Sequence, residues 1–195
     1  GNPALAAQAY VDLARRTRDP RIARRATEVS RMARQPVFAV ESARIWYETD
    51  PESREALRTL TGLLVSTNRV EEAQPYLQKI LAAEGEGLGD GFLQLNRLLA
   101  NNPDKNANLK LIQNLAQQYP RLAQAHFAVA QAAATAGDND LALKEIREAV
   151  KLKPDWEVAA LFEAQLLQQQ SNERASAYLA EYVKRYPQAR DARLA

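Results

Sequence analysis

Cysteine is absent from these 195 residues, and histidine occurs once. Thiol nucleophiles, disulfides, Cys–His dyads and His-rich metal sites are thereby excluded within the chain. Glycine (7) and proline (9) are sparse, and aromatic residues make up only 7%. Alternating β-branched runs are missing, so no segment reads as a strand. No apolar run approaches the ~18–20 residues of a membrane-spanning helix. A dominant charge is lacking too: the formal net charge is +2, which gives no global pull toward nucleic acid.

What remains is rich in Ala, Leu, Gln, Arg and Glu, with an apolar fraction of 46%. Apolar residues recur at i, i+3, i+4 and i+7 throughout, which predicts an all-α chain of amphipathic helices. Nothing in it assembles a reaction site. The Gly85 to Gly91 cluster lacks a GK[ST] ending and a preceding strand, so it reads as a flexible connector, not a phosphate loop. Acids are scattered among bases, whereas a catalytic carboxylate pair needs two groups in one pocket. Glu71 and Glu72 suit the first turn of a helix, where they complement its dipole. The expectation is a non-enzyme, with no catalytic residue, no metal site and no cofactor.

An internal period organises the chain. Pro120 and Pro154 lie 34 residues apart, and the unit from Ala123 to Trp156 is the clearest. Gly137-Asp138 reads as the tight turn of a helix pair. Ala142 and Ala149 are small enough for close helix approach, and Pro154 ends the second helix. The next unit spans 157–189, with Ala164 and Ala175 at small positions, a turn at Ser171-Asn172 and Pro187 at its end. Backwards, 89–122 carries Phe92, Leu95 and Leu99, with Pro103 expected to open its second helix. The unit 54–88 carries Leu57, Leu60, Leu64, Ala73, Leu77 and Ile80. The unit 20–53 is the most degenerate, marked by Ala23, Ala26, Ala39, Ala43 and Trp46 and closed by Asp50-Pro51. A lone helix at 4–16 precedes it. The reading is one array, 1–195, of five helix pairs plus one helix. The start Gly1-Asn2-Pro3 lacks an initiator Met and neither end shows a polar capping helix, so a piece of a longer array is expected.

This spacing resembles the tetratricopeptide-repeat (TPR) superfamily, whose helix pairs stack into a right-handed superhelical solenoid. The match is specific for fold and weak for function. In Ala123–Trp156 it departs from the family pattern. His126 stands where a large aromatic is usual, and Val129-Ala130 replaces Leu-Gly. His126 is read as a packed or half-buried structural residue, with ligand contact as the alternative. The resemblance implies a concave groove lined by the first helix of each pair, through repeat positions 2, 5, 9, 12 and 13. Those positions give Arg21, Arg24, Glu28 and Arg31; then Glu55, Arg58 and Val65; then Asp90, Leu93, Arg97 and Asn101. Gln124, Phe127, Gln131 and Thr135 follow, and then Val158, Leu161, Gln165, Gln168 and Gln169.

The candidate partner-binding set is Arg21, Arg24, Arg31, Arg58, Leu93, Arg97, Phe127, Gln131, Leu161 and Gln165. From Arg15 to Arg34 eight arginines face two acids, Asp19 and Glu28. That cluster is either a solvated face balanced by neighbours or a contact for an acidic protein, with nucleic acid the remote third reading. Leu93, Phe127 and Leu161 suit apolar side chains of a peptide, and the glutamines its backbone, unless they simply contact the next repeat. The carboxylate clamp of some TPR domains needs Lys and Asn at positions 5 and 9. The pairs Arg24-Glu28, Arg58-Gly62 and Leu93-Arg97 do not supply it.

A narrower resemblance rests on Thr17–Ala26 (TRDPRIARRA), Gly91–Ala100 (GFLQLNRLLA) and Ala125–Ala130 (AHFAVA). These are similar to proteobacterial TPR lipoproteins of the LbcA type. That resemblance implies a periplasmic adaptor anchored at the outer membrane, joining a carboxyl-terminal processing protease to cell-wall hydrolase substrates. The lipidated cysteine and signal peptide of that family are not in this sequence. The functional expectation is a non-catalytic scaffold binding proteins or peptides. The alternatives are a pilotin or assembly factor of an envelope machine, or a regulatory TPR domain of a larger enzyme.

Overall fold

The computed structural model describes residues 1–195 and contains twelve α-helices and no strand. They are α1 (Pro3–Thr17), α2 (Pro20–Met32), α3 (Pro36–Thr49), α4 (Arg54–Ser66), α5 (Val70–Ala82), α6 (Leu88–Leu98), α7 (Lys105–Ala116), α8 (Ala123–Thr135), α9 (Asn139–Leu152), α10 (Glu157–Gln168), α11 (Asn172–Arg185) and α12 (Arg190–Leu194). No helix is long and apolar enough to cross a membrane. The chain divides into two compact units, Gly1–Ala83 and Glu84–Ala195.

Local chemistry sets most of the helix starts. Pro3, Pro20 and Pro36 sit at first-turn positions, where a missing N–H costs nothing and φ is already helical. Asn2, Asp19, Ser53, Asp104, Asp138 and Ser171 each accept a hydrogen bond from a first-turn backbone N–H, satisfying donors the helix leaves free. Glu71 and Glu72 lie in the first turn of α5, as expected. Helix ends are closed by left-handed residues: Arg18, Arg34 and Asn68 have φ of 52°, 54° and 60°, and Gly137 has φ of 84° between α8 and α9. That angle is free for glycine and strained for a side chain.

Two local expectations are corrected. Pro103 does not open α7; it lies outside it, and Asp104 caps the helix by accepting from the Ala107 N–H at 2.9 Å. The polar cap at position 104 fixes the start more strongly than the proline does. The Gly85 to Gly91 stretch, read as a flexible connector, is one turn of 3-10 helix at Gly85–Gly87 followed directly by the first turn of α6. The short helix α12, after Pro187, had no sequence signal of its own.

In the first unit the short connections make α1, α2 and α3 antiparallel neighbours, and all three pack on one another. Val11, Ala14, Ala23, Ala26, Ile45, Trp46 and Ala56 form the core, with Ile22, Phe38 and Tyr47 against it. Alanines at the contacts let the helix backbones approach, and Trp46 fills the space between them. In the second unit α8 packs on α6, α7 and α9, α9 on α10, and α10 on α11. Phe92, Ile112, Leu115 and Ile146 are fully buried there. Gly89 is buried where α6 and α8 meet, and a Cβ on it would come within 2.8 Å of the Gln124 side chain. Ala142 and Ala149 are both 0% exposed, so the small residues picked out by spacing are the close contacts of α9.

Candidate partner-binding surfaces

In the first unit, Arg21, Arg24 and Arg31 project from α2 and Arg58 from α4, all exposed. The arginine cluster is largely neutralised from within. Arg15 bonds Glu41 and Asp12, Arg18 bonds Glu48 at 2.9 Å, and Arg25 bonds Glu28 at 3.0 Å. Arg24 reaches Glu55 on α4 at 3.1 Å and Glu28 at 3.5 Å, and its guanidinium lies 5.6 Å from the Trp46 ring centre. Arg21 holds Asp19 at 2.8 Å; that bond and the Arg21 backbone N–H pull the Asp19 carboxyl down to about 2. Arg16 turns its Nε toward the Asp12 carbonyl. Arg31 and Arg34 have no carboxylate partner. Most of the cluster's guanidiniums are therefore paired with carboxylates of the same unit. These exposed pairs each contribute little to stability.

In the second unit the remaining candidates do not form one continuous set. Leu93 is half-buried on α6, and Arg97 is exposed in its last turn. Phe127 is 5% exposed. Its ring centre lies 4.8 Å from that of Trp156 and 5.6 Å from that of Phe162, so it fills the contact of α8 with α10 and offers a partner almost no surface. Gln131 accepts from the Asn96 amide at 3.2 Å, and the same Asn96 amide donates to the Ala128 carbonyl at 2.9 Å. That pair clips α6 to α8.

Leu161 and Gln165 do meet. With Gln168 they line an open recess of about 260 Å³, completed by Asn172, Ser176 and Leu179 of α11 and by Ala195. Sequence reasoning missed Asn172 and Ser176. Their spacing of four residues on one face of α11 was the available signal. The lining combines apolar side chains with amide and hydroxyl groups. Such groups can both donate to and accept from an extended backbone.

His126 is half-buried and structural. Its Nδ1 lies 2.6 Å from Glu145 Oε2 and its Nε2 2.8 Å from the Pro120 carbonyl. Both partners are acceptors, so both ring nitrogens donate. The bond to Glu145, helped by the one to Pro120, raises the histidine pKa above its ordinary value of 6.5. The buried Glu163 carboxylate of α10 is held by Arg147 Nε at 3.2 Å. No three His, Cys, Asp or Glu side chains gather into a metal-holding group.

No protein-family model matches the chain. Among curated proteins it is similar to a TPR repeat-containing protein of Pseudomonas aeruginosa (PA4667), 28% identical over 194 residues, which is 98% of this chain and 32% of that protein. The chain thus spans about a third of the length of the curated relative it matches. Among solved structures it is similar to MamA, with a TM-score of 0.51 at 15% identity over 83% of this chain and 95% of that one. YrrB, described as a TPR protein with an unusual peptide-binding site, gives 0.50 at 18% identity, covering 93% and 94%. The C-terminal part of a TPR repeat-containing protein of Cytophaga hutchinsonii gives 0.50 at 13%, covering 94% and 74%. The fold is therefore that of tetratricopeptide-repeat proteins, as the 34-residue proline spacing predicts.

Proposed function

We propose that this chain is a non-catalytic interaction module that holds a protein partner through an extended segment, seated in the recess between α10 and α11. The observation that carries this is the recess itself, lined by Leu161 and Leu179 together with Gln165, Gln168, Asn172 and Ser176. The amides bond a backbone without reading its sequence, and the leucines supply apolar contact. The peptide-binding TPR protein of similar fold supports the reading.

The finer reading is an adaptor in the periplasm, joining a carboxyl-terminal processing protease to cell-wall hydrolases, with the membrane reached through a lipid anchor elsewhere in a longer protein. Its support is the three sequence stretches named above. Affinity capture from envelope extract tests it. The adaptor reading expects both a processing protease and a hydrolase to be retained, and to be lost together with Leu161→Ala/Gln165→Ala. Retention of neither contradicts the adaptor reading.

A further inference from the structure

Single exposed aliphatic side chains on a surface need no explanation. The first unit carries three at one end. Met32 is 81% exposed, Val37 72% and Leu5 63%. Met32 ends α2 and Val37 opens α3, either side of a tight turn in which the Gln35 N–H bonds the Ser30 carbonyl at 2.8 Å. Because α1, α2 and α3 are successive antiparallel neighbours, the start of α1, with Leu5, lies at the same end.

The charge of the α1, α2 and α3 segments at this end is one-sided, while Glu71 and Glu72 open α5 at the same end, Glu72 held by Arg44 and Arg69. The two arginines of the cluster whose guanidiniums have no hydrogen-bonded partner, Arg31 and Arg34, flank Met32, and residues 1–11 and 29–40 contain no acid. Elsewhere in the cluster five guanidiniums are neutralised by Asp12, Asp19, Glu28, Glu41, Glu48 and Glu55. The fold thus cancels most of the arginine charge along α1 and α2, Arg16 excepted, and leaves it uncancelled at the α2–α3 turn.

We propose that the α2–α3 turn of the first unit is a docking point for an anionic lipid surface. Met32 and Val37 enter the boundary between headgroups and acyl chains, and Arg31 and Arg34 pair with lipid phosphates. Several features favour a bilayer over a folded protein. The apolar groups are aliphatic and project from a turn, whereas protein hot spots are dominated by aromatic anchors in pockets. A guanidinium fork matches phosphate geometry, and aliphatic insertion beside basic residues is how peripheral elements hold an anionic interface. The proposal is independent of the recess between α10 and α11.

Flotation of the purified chain with vesicles tests it. One set is pure phosphatidylcholine, and the other contains about 30% phosphatidylglycerol, at about 0.1 M salt. The chain is expected to float with the anionic set and not with the neutral one. Arg31→Gln/Arg34→Asn keeps a residue tolerant of the left-handed angle at position 34 and should lower partitioning by about tenfold or more. Met32→Ser/Val37→Ser should lower it comparably. Arg21→Gln, whose arginine is already matched to Asp19, should leave partitioning within about twofold of the parent. Circular dichroism reports that each variant keeps its helicity. No flotation with anionic vesicles overturns the proposal. So does flotation that the turn variants leave unchanged, or that Arg21→Gln reduces as much as they do.

Discussion

His126 stands between two acceptors, the Glu145 carboxylate and the Pro120 carbonyl, and only the doubly protonated ring can satisfy both. Its folded pKa is raised, first by Glu145. Stability from this group is therefore fully present below its ordinary value of 6.5 and is lost as pH rises through the folded value. The chain's denaturation midpoint should fall as pH rises above the ordinary histidine value of 6.5, and His126→Gln should flatten that fall. Chemical denaturation across that window checks it; an equally steep fall in the variant contradicts the assignment. The spacing marked His126 as a packed structural residue. It did not show Glu145 as the partner, because choosing between Glu145 and Glu148 depends on the rotation of α9 against α8. The arginines illustrate the same limit. Their acid partners Glu41 and Glu48 lie 26 and 30 residues away in the chain. A local count of charge sees a basic cluster where the fold makes ion pairs.

Between α8 and α9, one glycine and one aspartate hold the turn. Gly137 takes φ of 84° and Asp138 accepts from the Leu141 N–H at 3.0 Å. Asp138→Ala should cost about 1 kcal/mol by removing the cap. Ala142→Leu should cost about 1–3 kcal/mol by forcing a larger side chain into a contact with no room. Both are read as shifts in urea midpoint. A stability unchanged in Ala142→Leu would mean that α9 does not pack as described. Elements of this kind were legible: proline at a helix start, a capping side chain and alanine at a close contact are local signals. Where two signals competed they were not. Pro103 and Asp104 are adjacent and both favour a helix start, and the cap decided it. The glycines at 85 and 87 suggested freedom, yet a single 3-10 turn forms there and carries the chain into α6. Phe127 shows a further limit. Its repeat position suggested a groove, but its ring is used up against Trp156 and Phe162.

At the scale of the molecule, the chain is a set of helix hairpins in two units with the fold of tetratricopeptide-repeat proteins. Each unit offers a surface of different character. The first presents paired arginines and one unneutralised, apolar turn. The second presents an amide-lined recess. The central claim is that this recess seats a partner. The most direct measurement is photocrosslinking in cells that produce the chain, with a photoreactive amino acid in place of Gln165 at the recess or of Lys151, exposed on α9. Covalent adducts to other proteins are expected from position 165 and not from position 151, and they should be lost in Leu161→Ala/Gln168→Ala. Absence of adducts from position 165, or equal adducts from both positions, would contradict the account.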